Sequence, residues 1–119
     1  MNNRDEINEQ ISRHQLFFYR DGQITVCLLI RNNQVCARGL TMCSPLDQFY
    51  WKVGRVKAYG MARRALFQQR NSGYIKARRF PEAVYPDIWQ AWRRFEWKSF
   101  YMPAVRPEEA RLLGHRISH

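Results

Sequence analysis

Residues 15–42, QLFFYRDGQITVCLLIRNNQVCARGLTM, decide the fold. Three apolar-alternating runs, QLFFYR, QITVCLLIR and QVCARGLTM, are separated by Asp21-Gly22 and Asn32-Asn33, both two-residue signals for tight hairpins. They read as a three-stranded antiparallel meander. Two-residue loops put Arg20 opposite Gln23 and Arg31 opposite Gln34, and that register assigns each side chain to a face. One face, with Phe17, Tyr19, Ile24, Val26, Leu28, Ile30, Val35, Ala37 and Gly39, reads as the core. The other carries Leu16, Phe18, Thr25, Cys27, Leu29, Arg31, Cys36, Arg38 and Leu40 and is too apolar to stay wet. Either the aromatic C-terminal half or a partner is expected to cover it, and the second option admits a homodimer.

Working outward, CSPLD at 43–47 suggests a turn in which Asp47 caps a helix running to about Arg70. At about 100° per residue, Phe49, Val53, Val56, Gly60 and Phe67 share a stripe expected to lie on the sheet. Gly54, Ala58, Ala62 and Ala65 form a second, smooth stripe. A helical glycine costs about 1 kcal/mol against alanine, so two of them suggest close approach of another backbone. A third face collects Lys52, Arg55, Tyr59, Arg63 and Arg70. The helix should break at Asn71-Ser72-Gly73 and pass into a loop bearing Lys76, Arg78 and Arg79.

At the two ends the pattern is helical. Residues 3–13 fit a short amphipathic helix with Asp5 and Glu6 near its start and Ile7 and Ile11 four apart. Pro86 suits a first helical position, with Ile88, Trp92 and Phe95 on one face and Trp97 on the opposite side as a candidate exposed protein contact. RPEEARLLG, 106–114, reads as a last helix with two acids in its first turn and Gly114 as its stop. The fold class is therefore α+β: a three-stranded antiparallel meander packed by a long helix, with flanking N- and C-terminal helices, in a single domain over residues 1–119.

Charge is unevenly placed. Formal net charge is +10, yet from Gln48 to Pro81 there are nine Lys/Arg and no Asp or Glu. Ordinary solvated helix faces mix signs, because acid–base pairs four apart stabilise a helix and like charges repel. A basic ridge holding a tyrosine and continued by a basic loop is what phosphate contact requires. Lys52, Arg55, Tyr59, Arg63, Arg70, Lys76, Arg78 and Arg79 are accordingly the candidate residues for DNA, RNA or an acidic partner surface.

Other chemistry is poorly supported. Cys27, Cys36 and Cys43 are odd in number and not closely paired, which argues against a disulfide framework or zinc knuckle. Cys43 with His14 is the one conceivable nucleophile pair, and a small half-buried thiol is the plainer reading. His115 and His119 stand at helical spacing without a third ligand. No enzyme, metal or cofactor is expected. No apolar run approaches the length of a membrane span and the N-terminus lacks the apolar run of a signal peptide, so the expectation is a cytoplasmic protein with no membrane partner.

At CSPLDQFYWKVGRVKAYGMARRAL, 43–66, the chain resembles a group of small phage and prophage proteins that pair a hairpin with a Cys-Ser-Pro-x-Asp turn and a Gly-Arg-x-x-Ala helix. The resemblance spans about residues 15–68, through Cys43, Ser44, Pro45, Asp47, Gly54, Arg55 and Ala58, and departs at Tyr50 and Trp51. It implies a phage accessory protein active in the host cytoplasm. Two functions fit such a protein: a non-catalytic nucleic-acid-binding factor or, alternatively, an anti-CRISPR-like inhibitor that binds a host protein or ribonucleoprotein defence complex.

Overall fold

The computed structural model describes residues 13–44, 50–75 and 80–117. Among them, β1 (Gln15–Asp21), β2 (Ile24–Arg31) and β3 (Gln34–Met42) form an antiparallel sheet. Helices α1 (Trp51–Gln68), α2 (Pro86–Arg94) and α3 (Pro107–Leu113) follow, and a two-residue strand, β4 (Phe100–Tyr101), extends the sheet beside β3. The architecture is α+β, as the sequence suggests. The N-terminal helix falls almost wholly outside the described residues, and the Asp47 cap falls outside them too.

Both hairpins turn on left-handed residues. Asn32 and Asn33 have φ of 53° and 62°, the type I′ pattern whose twist matches the strands it joins. In the first hairpin Asp21 pairs with Ile24, so the turn is Gly22-Gln23 rather than Asp21-Gly22, with Gly22 at φ 59°. Arg20 therefore faces Thr25, not Gln23. The shift is two residues, so the alternation of faces survives it.

Strand β3 departs further from strict alternation. Ile30 pairs with Val35 and Leu29 with Ala37, which leaves Cys36 as an extra residue in a β-bulge. Everything after Cys36 changes sides. Ala37 and Gly39, expected on the core face with Val26, instead join Cys27 and Leu29, while Arg38 and Leu40 cross to the side of Val26 and Leu28.

Helix α1 lies across the Cys27, Leu29 and Ala37 side, opposite to the face expected for it, and packs with Ala58 and Ala62. The approach is set by backbone. A Cβ on Gly39 would stand 2.1 Å from the Ala62 nitrogen and 2.2 Å from the Ala58 carbonyl oxygen, and one on Gly54 would stand 2.5 Å from Thr25 Oγ1. Only the smooth stripe fits such a gap. Of the stripe expected against the sheet, Val53, Val56, Gly60 and Phe67 consequently point to solvent, and Phe49 lies outside the described residues. The second sheet face is thus covered from within the chain, and its apolar surplus no longer argues for a homodimer.

The C-terminal elements cover the other side. Trp92 and Phe95 are fully buried against Ile24, Val26, Leu28 and Leu40, with Leu113 and Ile117 completing the cluster. Burying a side chain of this size contributes about 2–3 kcal/mol. Within the same layer, Arg38 reaches the completely buried Glu109 of α3 with Nε 2.9 Å from Oε2, and its Nη2 also donates to Oε1 and, at 2.8 Å, to the Ala104 carbonyl. Tyr19 Oη donates to Oε2 at 2.6 Å and the Arg106 amide to Oε1 at 3.0 Å. The carboxylate is saturated by donors. Burial, then the adjacent carboxylate, pushes the Tyr19 hydroxyl pKa well above its ordinary value.

Candidate functional site

With Ala58 and Ala62 against the sheet, the rest of α1 is placed by the helix angle of about 100° per residue. The outermost line is Val53, Val56, Gly60 and Phe67, and the first two valines and the phenylalanine are 50%, 63% and 50% exposed. Lys52 and Arg63 stand on one shoulder, Lys57 and Arg64 on the other. Lys52, Lys57 and Arg64 are exposed and Arg63 half-buried. At a rise of about 1.5 Å per residue, each shoulder spreads its cations over about 10–16 Å, the axial length of about three to five phosphates on one strand.

The expected ridge is partly kept. Lys52 and Arg70 are exposed, whereas Arg55 and Tyr59 lie lower on the flank. The Arg55 guanidinium sits 5.7 Å from the Trp51 ring centroid, its Nε is buried without a hydrogen-bond partner, and Tyr59 packs against the small-residue core. Lys76, Arg78 and Arg79 lie outside the described residues. Lys57 and Arg64 are members of the basic face that the sequence reading passed over. They become visible in the sequence once the alanines, not the valines, are set inward.

Beyond α1 the chain turns at Gln69, with φ 52°, and runs alongside the segment before β4. Ser72 N donates to the Ser99 carbonyl at 2.9 Å, Ser99 N to Ser72 Oγ at 2.9 Å, Ile75 N to the Trp97 carbonyl at 2.6 Å, and Tyr101 N to Asn71 Oδ1 at 3.0 Å. These bonds bring Tyr74 to Trp97. Trp97 itself is not on the far side of a continuing helix: α2 ends at Arg94, and Glu96 and Trp97, at φ 55° and 57°, fold the chain back. Its ring rests 4.5 Å from that of Trp89 and 6.5 Å from that of Trp92.

A cavity of about 590 Å³ opens here, lined by Tyr74, Ile75, Arg93, Glu96, Trp97 and Lys98. A second, of about 530 Å³, runs from Met61, Arg64 and Gln68 on α1 over Arg70 to Tyr74, Ile75 and Ser99. Tyr74 and Ile75 line both, so the two adjoin, and together they make a groove that starts at Arg64 on α1.

Catalytic alternatives lose ground on geometry. Cys43 N donates to the Gln23 carbonyl beside the first hairpin turn, while His14 precedes Gln15, which pairs with Ile30 at the opposite end of the sheet. A strand of that length holds them about 20 Å apart, so they form no dyad. Burial raises the Cys27 thiol to about 12 and pushes Cys36 up as well, which keeps both protonated and poorly nucleophilic. His115 is exposed after α3, His119 is outside the described residues, and no group of three His, Cys, Asp or Glu is placed to hold a metal among the described residues. No helix among them is long and apolar enough to cross a membrane.

No protein-family model, curated protein or solved structure matches the chain. The functional reading therefore rests on the site's own geometry.

Proposed function

We propose that this protein is a small phage-type accessory factor that binds nucleic acid without catalysis, through the outer surface of α1. The observation that carries the reading is the arrangement of cations on both shoulders of one exposed helix, Lys52 and Arg63 against Lys57 and Arg64, in a region without acidic side chains. A helix laid in a groove of a duplex has a row of phosphates on either side, and paired shoulders meet both rows. Such binding follows phosphate neutralisation and depends steeply on salt. Arg70 extends the field, and Lys76, Arg78 and Arg79 continue it in sequence.

Lys52→Glu with Lys57→Glu tests this, because both residues are exposed, lie on opposite shoulders and stand outside the groove. Anisotropy of a labelled duplex should show at least a tenfold loss at low salt, with a log–log salt slope shallower by about 2. Unchanged affinity and slope would remove α1 as the contact surface.

The second reading, inhibition of a host defence complex by protein or ribonucleoprotein binding, is favoured by one feature, the exposed line of Val53, Val56 and Phe67. Val56→Ser separates the two. Phosphate contact should tolerate it within about twofold, whereas an apolar anchor at a protein interface should lose tenfold or more.

A further inference from the structure

The groove beyond α1 combines features that phosphate contact alone does not need. Along it lie the cations Arg64, Arg70, Lys98 and Arg93, and set between them are the aromatic rings of Tyr74 and Trp97. The Tyr74 ring is 73% exposed and is approached by Lys98 Nζ at 4.7 Å from its centroid. The cavity at Trp97 has the volume of a small-molecule site, and its aromatic walls with a cationic rim suit a planar, uncharged ring joined to an anionic phosphate. Carboxylate Glu96 on the same rim is an acceptor for an amino group or ring N–H of such a base. Beneath the α1 end, Ser99 is buried and its Oγ has no hydrogen-bond partner. Two consecutive non-glycine residues held at positive φ, Glu96 and Trp97, form this rim, a backbone arrangement that costs energy and concentrates at functional sites.

From these observations we infer that the groove holds a single-stranded segment of nucleic acid, with one nucleobase against Tyr74 and Trp97 and the backbone running toward Arg64. Stacking on exposed rings is available only to unpaired bases, because a duplex buries those faces. The inference rests on the reading of α1 as a phosphate-contacting surface, and it names the strand type that surface serves.

The test compares a labelled oligo-deoxythymidine of about 12 nucleotides with a duplex of equal length, at one salt concentration, on wild-type protein and Tyr74→Ala. Tyr74 is largely exposed, so the melting temperature of the variant should stay at the wild-type value. The expected result is a loss of about tenfold for the single strand, within the range of one base–aromatic stack, with duplex affinity unchanged. Lys98→Glu should act in the same direction. If Tyr74→Ala leaves the single strand at wild-type affinity, or weakens the duplex equally, the groove proposal falls while α1 stands. Single-strand binding that is lost in Tyr74→Ala, without any duplex binding by wild type, would uphold the groove and remove α1 as a duplex reader. If wild type binds neither probe, both readings fall.

Discussion

Under α1 the sheet offers Cys27, Ala37 and Gly39 and meets Ala58 and Ala62, while under α2 and α3 it offers Val26, Leu28 and Arg38 and meets Trp92, Phe95 and Glu109. The first side is joined backbone to backbone with little side-chain volume between. On the second, large rings and a buried ion pair fill the space. The difference teaches how a small chain can spend its bulky residues. Because α1 meets the sheet mainly through glycine and alanine, many of its larger and charged residues, among them Lys52, Val56, Lys57, Arg64 and Phe67, are turned outward. The aromatic side has less such freedom, since Trp92 and Phe95 are the core.

Substitutions can break each side by its own mechanism. The largest effect is expected at Glu109. Glu109→Ala leaves Arg38, a residue 4% exposed, without its counter-charge, and removal of one partner of a buried pair costs about 3–5 kcal/mol. Urea unfolding should report that loss. An Arg38→Met, Glu109→Leu double variant should recover most of it, because an apolar pair leaves no buried charge. If the double variant is as unstable as the single, the carboxylate's hydrogen bonds to Tyr19 and Arg106, rather than the ion pair, hold α3.

Next in size is Gly39→Ala on the smooth side. One added carbon must push α1 off the sheet, at a cost of about 3 kcal/mol. A second glycine on the helix, Gly60, meets nothing within 4 Å, so Gly60→Ala should be neutral or stabilising by up to about 1 kcal/mol. Equal effects at positions 39 and 60 would contradict the close approach.

The smallest effect is one of pH, and it sharpens the comparison because each side contributes one group. Cys27, under α1, and Tyr19, on the aromatic side, both have raised values when folded. Below about pH 9 both are protonated whether the chain is folded or not, and their contribution is fully present. As pH rises past the ordinary thiol and phenol values of 9.0 and 10.0, the unfolded chain releases protons that the folded chain retains, so stability declines. For Cys27 the decline ends near pH 12, where the folded thiol also titrates. The expected slope is about 1 kcal/mol per pH unit per group. Melting temperatures from pH 8 to 11 should fall less steeply for Cys27→Ala than for wild type, and parallel curves would show that this thiol is not the source.

Much of the fold is legible in the sequence because turn chemistry and alternation are local. Asn32-Asn33 and the glycine at 22 announce hairpins, Pro86 and Pro107 open their helices, and Gly114 closes the last one at φ 56°. The bulge at Cys36 carries no such mark, since nothing in QVCARGL distinguishes an extra residue from a strand in strict alternation. Missing it hides the burial of Arg38 and sends α1 to the wrong side. Size misleads as well: valines and phenylalanine on a helix suggest the core, yet the gap over Gly39 admits only alanine. The glycine and alanine stripe does signal close backbone approach, and Gly39 in mid-strand is its complement. For the site, the basic helix is legible from composition. The groove is not, because it depends on residues 71–75 lying beside residues 97–101, a pairing between distant segments.

The extra residue at Cys36 acts on the pattern of sides as a single inserted letter acts on a reading frame. Upstream of it β3 is read in one phase, downstream in the other, and the bulge absorbs the change so that both packing solutions are kept. Were Cys36 held in regular alternation instead of bulged, Arg38 would be delivered to the helix that needs a glycine, while Gly39 would leave a hole among the rings. The side chain at 36 belongs to neither buried cluster. Position 36 is therefore loosely constrained in kind, and its deletion, which would close the bulge and leave Ala37 opposite Leu29, should keep both sides of the sheet in place.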